Sequence, residues 1–534
     1  IAGTGGIAIN AAINGLNSAD ATKNADLTLT SVGGITEGAA GTISVNTIAA
    51  TATKGDINLN NAGNSIFNFG DIITGSTTIL ANNPYSITIV NNRAIRITRG
   101  LSLATNNQHN SSGNINLTAA GDITQTGGIN GSTIHTAGTG LLNLTATGNI
   151  TLDNGANNYF YKLGRISANA INIRGAFALT ITDSVTANNG DITLIGPNGL
   201  TLNAAVTAAN HNVNLKNLGN TDLVQSAAGI ITANTLNIQM NSSYTGYFIY
   251  LDNAQNNITN LGNITYKNEL DQALSSTTAN ISIANATTLA VTGTITPTTG
   301  ILSLTAATGN ITQTAAIKAS QLKATATNGD VILTNVNNII SNLGASNAKN
   351  ISVTNSNALN IAGNVTVQGG ALNLVTVSGN VTQTPLTEQI QDPAHPSDAT
   401  KKITQNIANA ITAPTVNVTA GSGGAISLGN IKNNITTLGN LIYGASADLT
   451  LGTSGILSIN QNITTTGNVT LNSGGGIATT ASAKITAATL RGSAAGAVNL
   501  NTSVTNLGNF TVTGTGNVFT LTNDKALNIS GAVT

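Results

Sequence analysis

The sequence predicts an all-β fold, a parallel β-solenoid, and three observations carry that prediction. Two short phrases recur along the chain, the apolar period is two, and turn residues close almost every apolar run. Composition agrees. The 534 residues hold 40% hydrophobic but only 7% charged side chains, with 3% aromatic and no Trp, where an ordinary globular domain carries roughly 25% charge. Thr, Asn, Ala, Gly and Ser therefore supply the polar surface. Disordered chains combine low hydrophobicity with high net charge; here the formal net charge is +0, so the chain is built to pack.

The first phrase is "NNITNLGNI" (Asn256–Ile264), which returns as "NNITTLGNL" (Asn433–Leu441). It generalises to N-x-(I/V/F)-x-x-(L/F)-G, with its glycine at Gly70, Gly164, Gly262, Gly344, Gly439 and Gly508. Six residues earlier stand Asn64, Asn158, Asn256, Asn338 and Asn433, with Thr502 in the last copy. The second phrase is G-(N/D)-(I/V), as in "GDINL" at Gly55, "GNINL" at Gly113 and "GDVIL" at Gly329; "GNITQT" at Gly309 recurs as "GNVTQT" at Gly379. Its spacing implies an elementary unit of about 20 residues, within the range of stacked solenoid repeats. At about 4.8 Å per coil, some 25 coils would form an elongated rod roughly 120 Å long.

Within each unit apolar and polar residues alternate. In "NINLT" (Asn114–Thr118), Ile115 and Leu117 point one way and Asn116 the other, the pattern of a half-buried strand, and β-branched residues suit it. Gly-Asn, Asn-Gly and Gly-Gly pairs keep the strands short. Asn repeated at one corner of successive coils can bond the coils above and below as an amide ladder.

The organisation read from this pattern is one continuous repeat region over residues 1–534. One interruption stands out. "TPLTEQIQDPAHPSDATKKITQN" (Thr384–Asn406) holds three of the seven prolines and the charges Glu388, Asp392, Asp398, Lys401 and Lys402, and reads as a loop projecting from the coils at 384–406. The chain has no Cys, so no disulfide framework holds it. It opens on Ile1 and closes mid-pattern on "ALNISGAVT", which reads as a fragment of a longer polypeptide.

Catalytic, cofactor-binding and metal sites are all expected to be absent. His109, His135, His211 and His395 are far apart in sequence and no Cys assists them, unlike a zinc site. Asp56, Asp71, Asp122, Asp191 and Asp330 each follow Gly in a slot that Asn fills elsewhere. That interchange points to turn chemistry, in which Asp and Asn bond their own backbone, and the calcium-binding nonapeptide is missing. Arg93, Arg96 and Arg99 form the best basic cluster, with no acidic cluster in sequence beside them of the kind that glycosidic chemistry uses. Zero net charge offers no field for nucleic acid. Sequons at Asn116, Asn149, Asn257, Asn310, Asn380, Asn434 and Asn468 are candidate attachment points for N-linked sugars.

The phrases "NNITNLGNI", "GNITQTAAIKASQLKATATNGDVILTN" and "NALNIAGNVTVQGGALNLVTVSGNVTQT" resemble the repeat region of filamentous haemagglutinin-like adhesins, the large exoproteins of two-partner secretion in Gram-negative bacteria. The likeness is one of repeat style and covers nearly the whole chain. It implies a right-handed β-helix, an outer-membrane transporter partner, an extracellular place at the bacterial cell surface and sugars on some sequons. It leads to a non-catalytic, fibrous adhesin shaft that meets a receptor on a host, neighbouring-cell or matrix surface. The alternatives are a subunit that self-associates into a structural filament or sheath and, behind it, a polysaccharide-degrading β-helix enzyme.

Overall fold

The structure, a computed structural model, describes residues 1–3, 5–17, 24–75, 84–103, 112–126, 129–130, 140–154, 158–241, 247–267, 279–295, 298–391 and 402–534. The fold is an all-β parallel β-solenoid of about 21 turns, with no helix among the described residues. The count falls below the 25 expected because many turns exceed 20 residues. Ile171, Ile192 and Val213 stack at 21-residue intervals, whereas Ile57, Ile87 and Ile115 stack at 30 and 28.

The chain divides into two compact units, Ile1–Ser275 and Ser276–Thr534. In the first, a turn contributes three strands. Val185–Ala187, Ile192–Gly196 and Leu200–Leu202 pair in parallel with the two ends of Val206–Asn217 and with Leu223–Gln225. In the second, Val331–Leu333, Ile351–Asn355 and Ala371–Thr376 stack in the same way. The next strand in that column is Ile411–Thr419, reached only after 44 residues at Leu372–Val416. Between them Thr387–Gln391 and Lys402–Asn406 pair antiparallel as a separate two-stranded hairpin. Its base is closed by the Ile407 N–H donating to the Leu386 carbonyl at 2.7 Å. Asp392, His395, Asp398 and Lys401 of the expected loop lie outside the described residues.

The core follows from the period-two pattern. Ile171, Ile192, Val213, Leu236 and Leu261 lie in register, one per turn, and all are buried. Each aliphatic side chain placed this way contributes roughly 1.5–3 kcal/mol, so cohesion is spread over many similar terms rather than one large centre.

The Leu-Gly of the first phrase lies within or beside strand rather than at a corner. Asn257–Tyr266 runs unbroken through Gly262, and there the register jumps: Leu236 faces Leu261 while Ile238 faces Ile264. The same one-residue excess appears at Gly70, Gly164, Gly439 and Gly508. Each is a β-bulge, an extra residue that bends the strand. At three of them a side chain from the preceding turn caps the freed amide. Asn143 Oδ1 accepts the Arg165 N–H at 2.9 Å, Asn237 Oδ1 the Asn263 N–H at 2.9 Å, and Asn417 Oδ1 the Asn440 N–H at 2.8 Å. A Cβ at Gly164, Gly262 or Gly439 would run into that same oxygen, which is why the position is glycine.

The amide ladders lead into these bulges along the outer face. Asn143 Nδ2 donates to Asn116 Oδ1 (2.8 Å), and Asn116 Nδ2 donates to Thr88 Oγ1 (3.2 Å). Asn237–Asn214–Thr193 and Asn417–Asn373–Ser352 repeat the arrangement.

Candidate functional site

The repeated Asn at the head of the phrase is buried in all five copies, and its bonds nearly repeat. Asn338 Oδ1 accepts the Ile317 N–H (2.8 Å) and Gln313 Nε2–H (2.8 Å). Its Nδ2 donates to Gln313 Oε1 (2.9 Å), the Leu333 carbonyl (3.2 Å) and the Thr354 carbonyl (2.9 Å). One side chain thus holds its own turn to the turns before and after it. The partner Gln is the one in "GNITQT", so the two phrases are halves of one device. Gln125–Asn158, Gln225–Asn256 and Gln383–Asn433 form the same reciprocal pair.

A tight turn N-x-x-N delivers the Asn in four copies. Asn61 Oδ1 accepts the Gly63 N–H, and the Asn64 N–H donates to the Asn61 carbonyl. Asn253, Asn335 and Asn430 repeat both bonds, the geometry of an Asx turn. This first Asn and the distant Gln are not among the residues singled out from the sequence; the signals were N-x-x-N at the head of four of the phrases and T-Q or V-Q one turn or more earlier.

The first copy departs from the rule. Glu37 stands where the other copies have Gln. Its Oε2 accepts from Asn61 N (2.8 Å) and Asn64 Nδ2 (3.0 Å), and its buried Oε1 has no hydrogen-bond partner. Burial pushes the Glu37 carboxyl above the usual range, against the lowering effect of the Asn61 and Asn64 bonds.

The candidates from the sequence take structural places. Of the histidines only His211 is described, half-exposed within Val206–Asn217. Arg93 Nε donates to Ser65 Oγ at 2.6 Å and its guanidinium lies 4.5 Å over the Phe67 ring; Arg99 pairs with Asp71 at 3.4 Å on the surface. The Gly-(Asn/Asp) residues bond the next turn rather than their own backbone. Asp56, Asp122, Asp191 and Asp330 accept the N–H of Ser86, Asn149, Asn212 and Asn350, and Asn310 accepts that of Asp330. At solenoid spacing the amide of the following turn lies within side-chain reach, which explains why Asp and Asn interchange there. In "NNIT" the two asparagines have opposite fates: Asn256 and Asn433 are buried, while the sequon residues Asn257 and Asn434 are exposed.

The described surface carries a shallow polar cavity of about 420 Å³ on the first unit, lined by Thr193, Lys216, Gln239, Asn263, Thr265 and Lys267 among others. A neighbouring hollow is lined by Thr151, Asn172, Asp191 and Lys216, and Asn172 Oδ1 there lacks a hydrogen-bond partner. Asp191 is engaged by Asn212 through both oxygens. The face offers ammonium and amide groups to a hydroxyl- or carboxylate-bearing ligand, without a paired acid and base. No group of three His, Cys, Asp or Glu able to hold a metal occurs among the described residues. Compared with family models, curated proteins and solved structures, the chain matches none.

Proposed function

We propose that the chain is a non-catalytic, load-bearing part of an extracellular adhesin, the shaft that holds contact elements away from a bacterial surface. The observation that supports this most is the recurrence of one inter-turn device, the buried Asn–Gln pair, in four copies. Selection for a single reactive site would place unusual residues once. Here the polar side chains repeat and bond neighbouring turns. The antiparallel strands Thr387–Gln391 and Lys402–Asn406 depart from that pattern and are the proposed contact element. The style of the repeats, resembling filamentous haemagglutinin-like adhesins, supports export through an outer-membrane transporter and makes exposed Asn257 and Asn434 the favoured sugar acceptors.

The test uses the purified chain and a variant lacking residues 387–406. The chain should bind members of a panel of host-cell, bacterial and matrix surfaces and form discrete particles in negative stain, and the variant should lose the binding while its thermal unfolding is unchanged. Regular filaments or lateral sheets would replace it with the self-assembling subunit. Sugar released from a polysaccharide panel, and abolished by changing one carboxylate, would replace it with an enzyme.

A further inference from the structure

The Glu37–Asn64 contact is the one place among the described Asn–Gln pairings where a titratable group occupies the glutamine position. In the four amide pairs, Gln Nε2 donates to the buried Asn Oδ1 at 2.6 to 2.8 Å while Gln Oε1 accepts from Asn Nδ2. Glu37 Oε2 reproduces the accepting half. An ionised carboxylate has no hydrogen with which to make the other half, and Glu37 Oε1 is left buried without a partner.

We propose that Glu37 is an acid-operated latch between neighbouring turns of the first unit, closed when it is protonated and one bond short when it is ionised. Protonated on Oε1, the carboxyl donates to Asn64 Oδ1 and the reciprocal pair is complete. Ionised, it keeps its bonds from Asn61 and Asn64, and the orphaned oxygen loosens the turn whose Ile43 N–H also depends on Asn64 Oδ1 (2.8 Å).

The groups around Glu37 make it the titrating member. The strands on either side of Ile35–Glu37, namely Ile7–Ile9 and Ile57–Leu59, carry no titratable side chain, and neither does the turn Asn61–Asn64. Asn10 faces the adjoining Gly38. Asp56, just before Ile57–Leu59, accepts the Ser86 N–H. No charged side chain bonds Glu37 among the described residues. The sign follows from burial, which raises the folded carboxyl above its unfolded value. The contribution to stability is complete below the unfolded value, about 4.3, and is lost as pH rises through the raised folded one.

Hydrogen exchange of the whole chain, corrected for intrinsic rates, tests this at peptides covering residues 35–66. From pH 4 upward their protection should fall by roughly tenfold for each unit by which the carboxyl is raised, and Glu37→Gln should hold it high and independent of pH. Gln313→Glu should install the same pH dependence around Asn338 in the second unit. Protection at 35–66 that does not change with pH, a Glu37→Gln variant that keeps the wild-type dependence, or a Gln313→Glu variant with none around Asn338 would each overturn the latch.

Discussion

Replacing Asn338 by Ala is the sharpest test of what joins successive turns. The substitution removes a side chain that is 0% exposed and takes away every partner at once. The Ile317 N–H loses its acceptor, the carbonyls of Leu333 and Thr354 lose a donor, and Gln313 loses both halves of its pair. A buried group left without a partner costs about 1–3 kcal/mol. The Ile317 amide bears that in full. The carbonyls bear less, because each has a second lone pair, and Gln313 can turn toward water. Together these give roughly 3–5 kcal/mol, at the upper end for a single substitution. Gln313→Ala should cost about half as much, and the double variant should fall short of the sum by at least ~1 kcal/mol, since the two share one network. Denaturant unfolding gives the global figure. A stacked fold can also open locally, so exchange at the Ile317 amide gives the local one. A loss below ~1 kcal/mol with the Ile317 amide still protected would refute the view that this Asn holds neighbouring turns together.

Three further outcomes follow from the same geometry. Gly262→Ala should destabilise by roughly 1–3 kcal/mol, because its Cβ would displace Asn237 Oδ1 from the bulge amide of Asn263; Gly369→Ala, whose Cβ meets nothing within 4 Å, should shift the melting temperature negligibly. Asp330→Asn should stay within ~0.5 kcal/mol of wild type in denaturant unfolding, since Asn fills the equivalent slot at Asn310 and makes the same bond to the next turn. Leu215→Ala, in a fully buried column between Leu194 and Ile238, should cost about 2–5 kcal/mol in the same assay.

The fold class was legible because it rests on local rules. Alternating residues such as Ile115 and Leu117 set the strands, and recurrence of the phrases set the stacking. Length per turn was less legible. A 21-residue turn and a 30-residue turn present similar strands, and their difference lies in connections that carry no periodic signal, so phrase spacing alone overcounts the coils. The buried Asn was visible as a repeated residue, but not what it bonds. Its partner Gln313 lies 25 residues away and Gln383 lies 50 residues from Asn433, because the hairpin intervenes. Side-chain pairing across turns is a property of register, which a linear reading sees only when both phrases are aligned together. The same limit applied to the Gly-Asp slots, where residue type was informative but the bonded amide belongs to the following turn.

The repeats also act as a mutational series within one chain, and that series separates two devices. In the last copy the strand Val498–Val512 runs through without the N-x-x-N turn, Thr502 replaces the buried Asn, and the Gln position one turn earlier is Thr479. Both members of the pair have changed together. Thr502 Oγ1 instead donates to Asn523 Oδ1 (2.9 Å) and the Thr522 carbonyl (3.2 Å), and Asn523 Oδ1 accepts the Val504 N–H (2.8 Å). Yet the bulge at Gly508 remains. The bulge therefore does not need the Asn–Gln pair. A short polar turn brings backbone groups into the interior, where they must find partners. The Asn–Gln pair supplies such partners in three of the four copies with the N-x-x-N turn, and it forms also at Asn158, where the sequence has Gly155 in place of the first Asn. Glu37 is the one copy that keeps the turn but changes the partner, and so the one in which the fit between them depends on a proton.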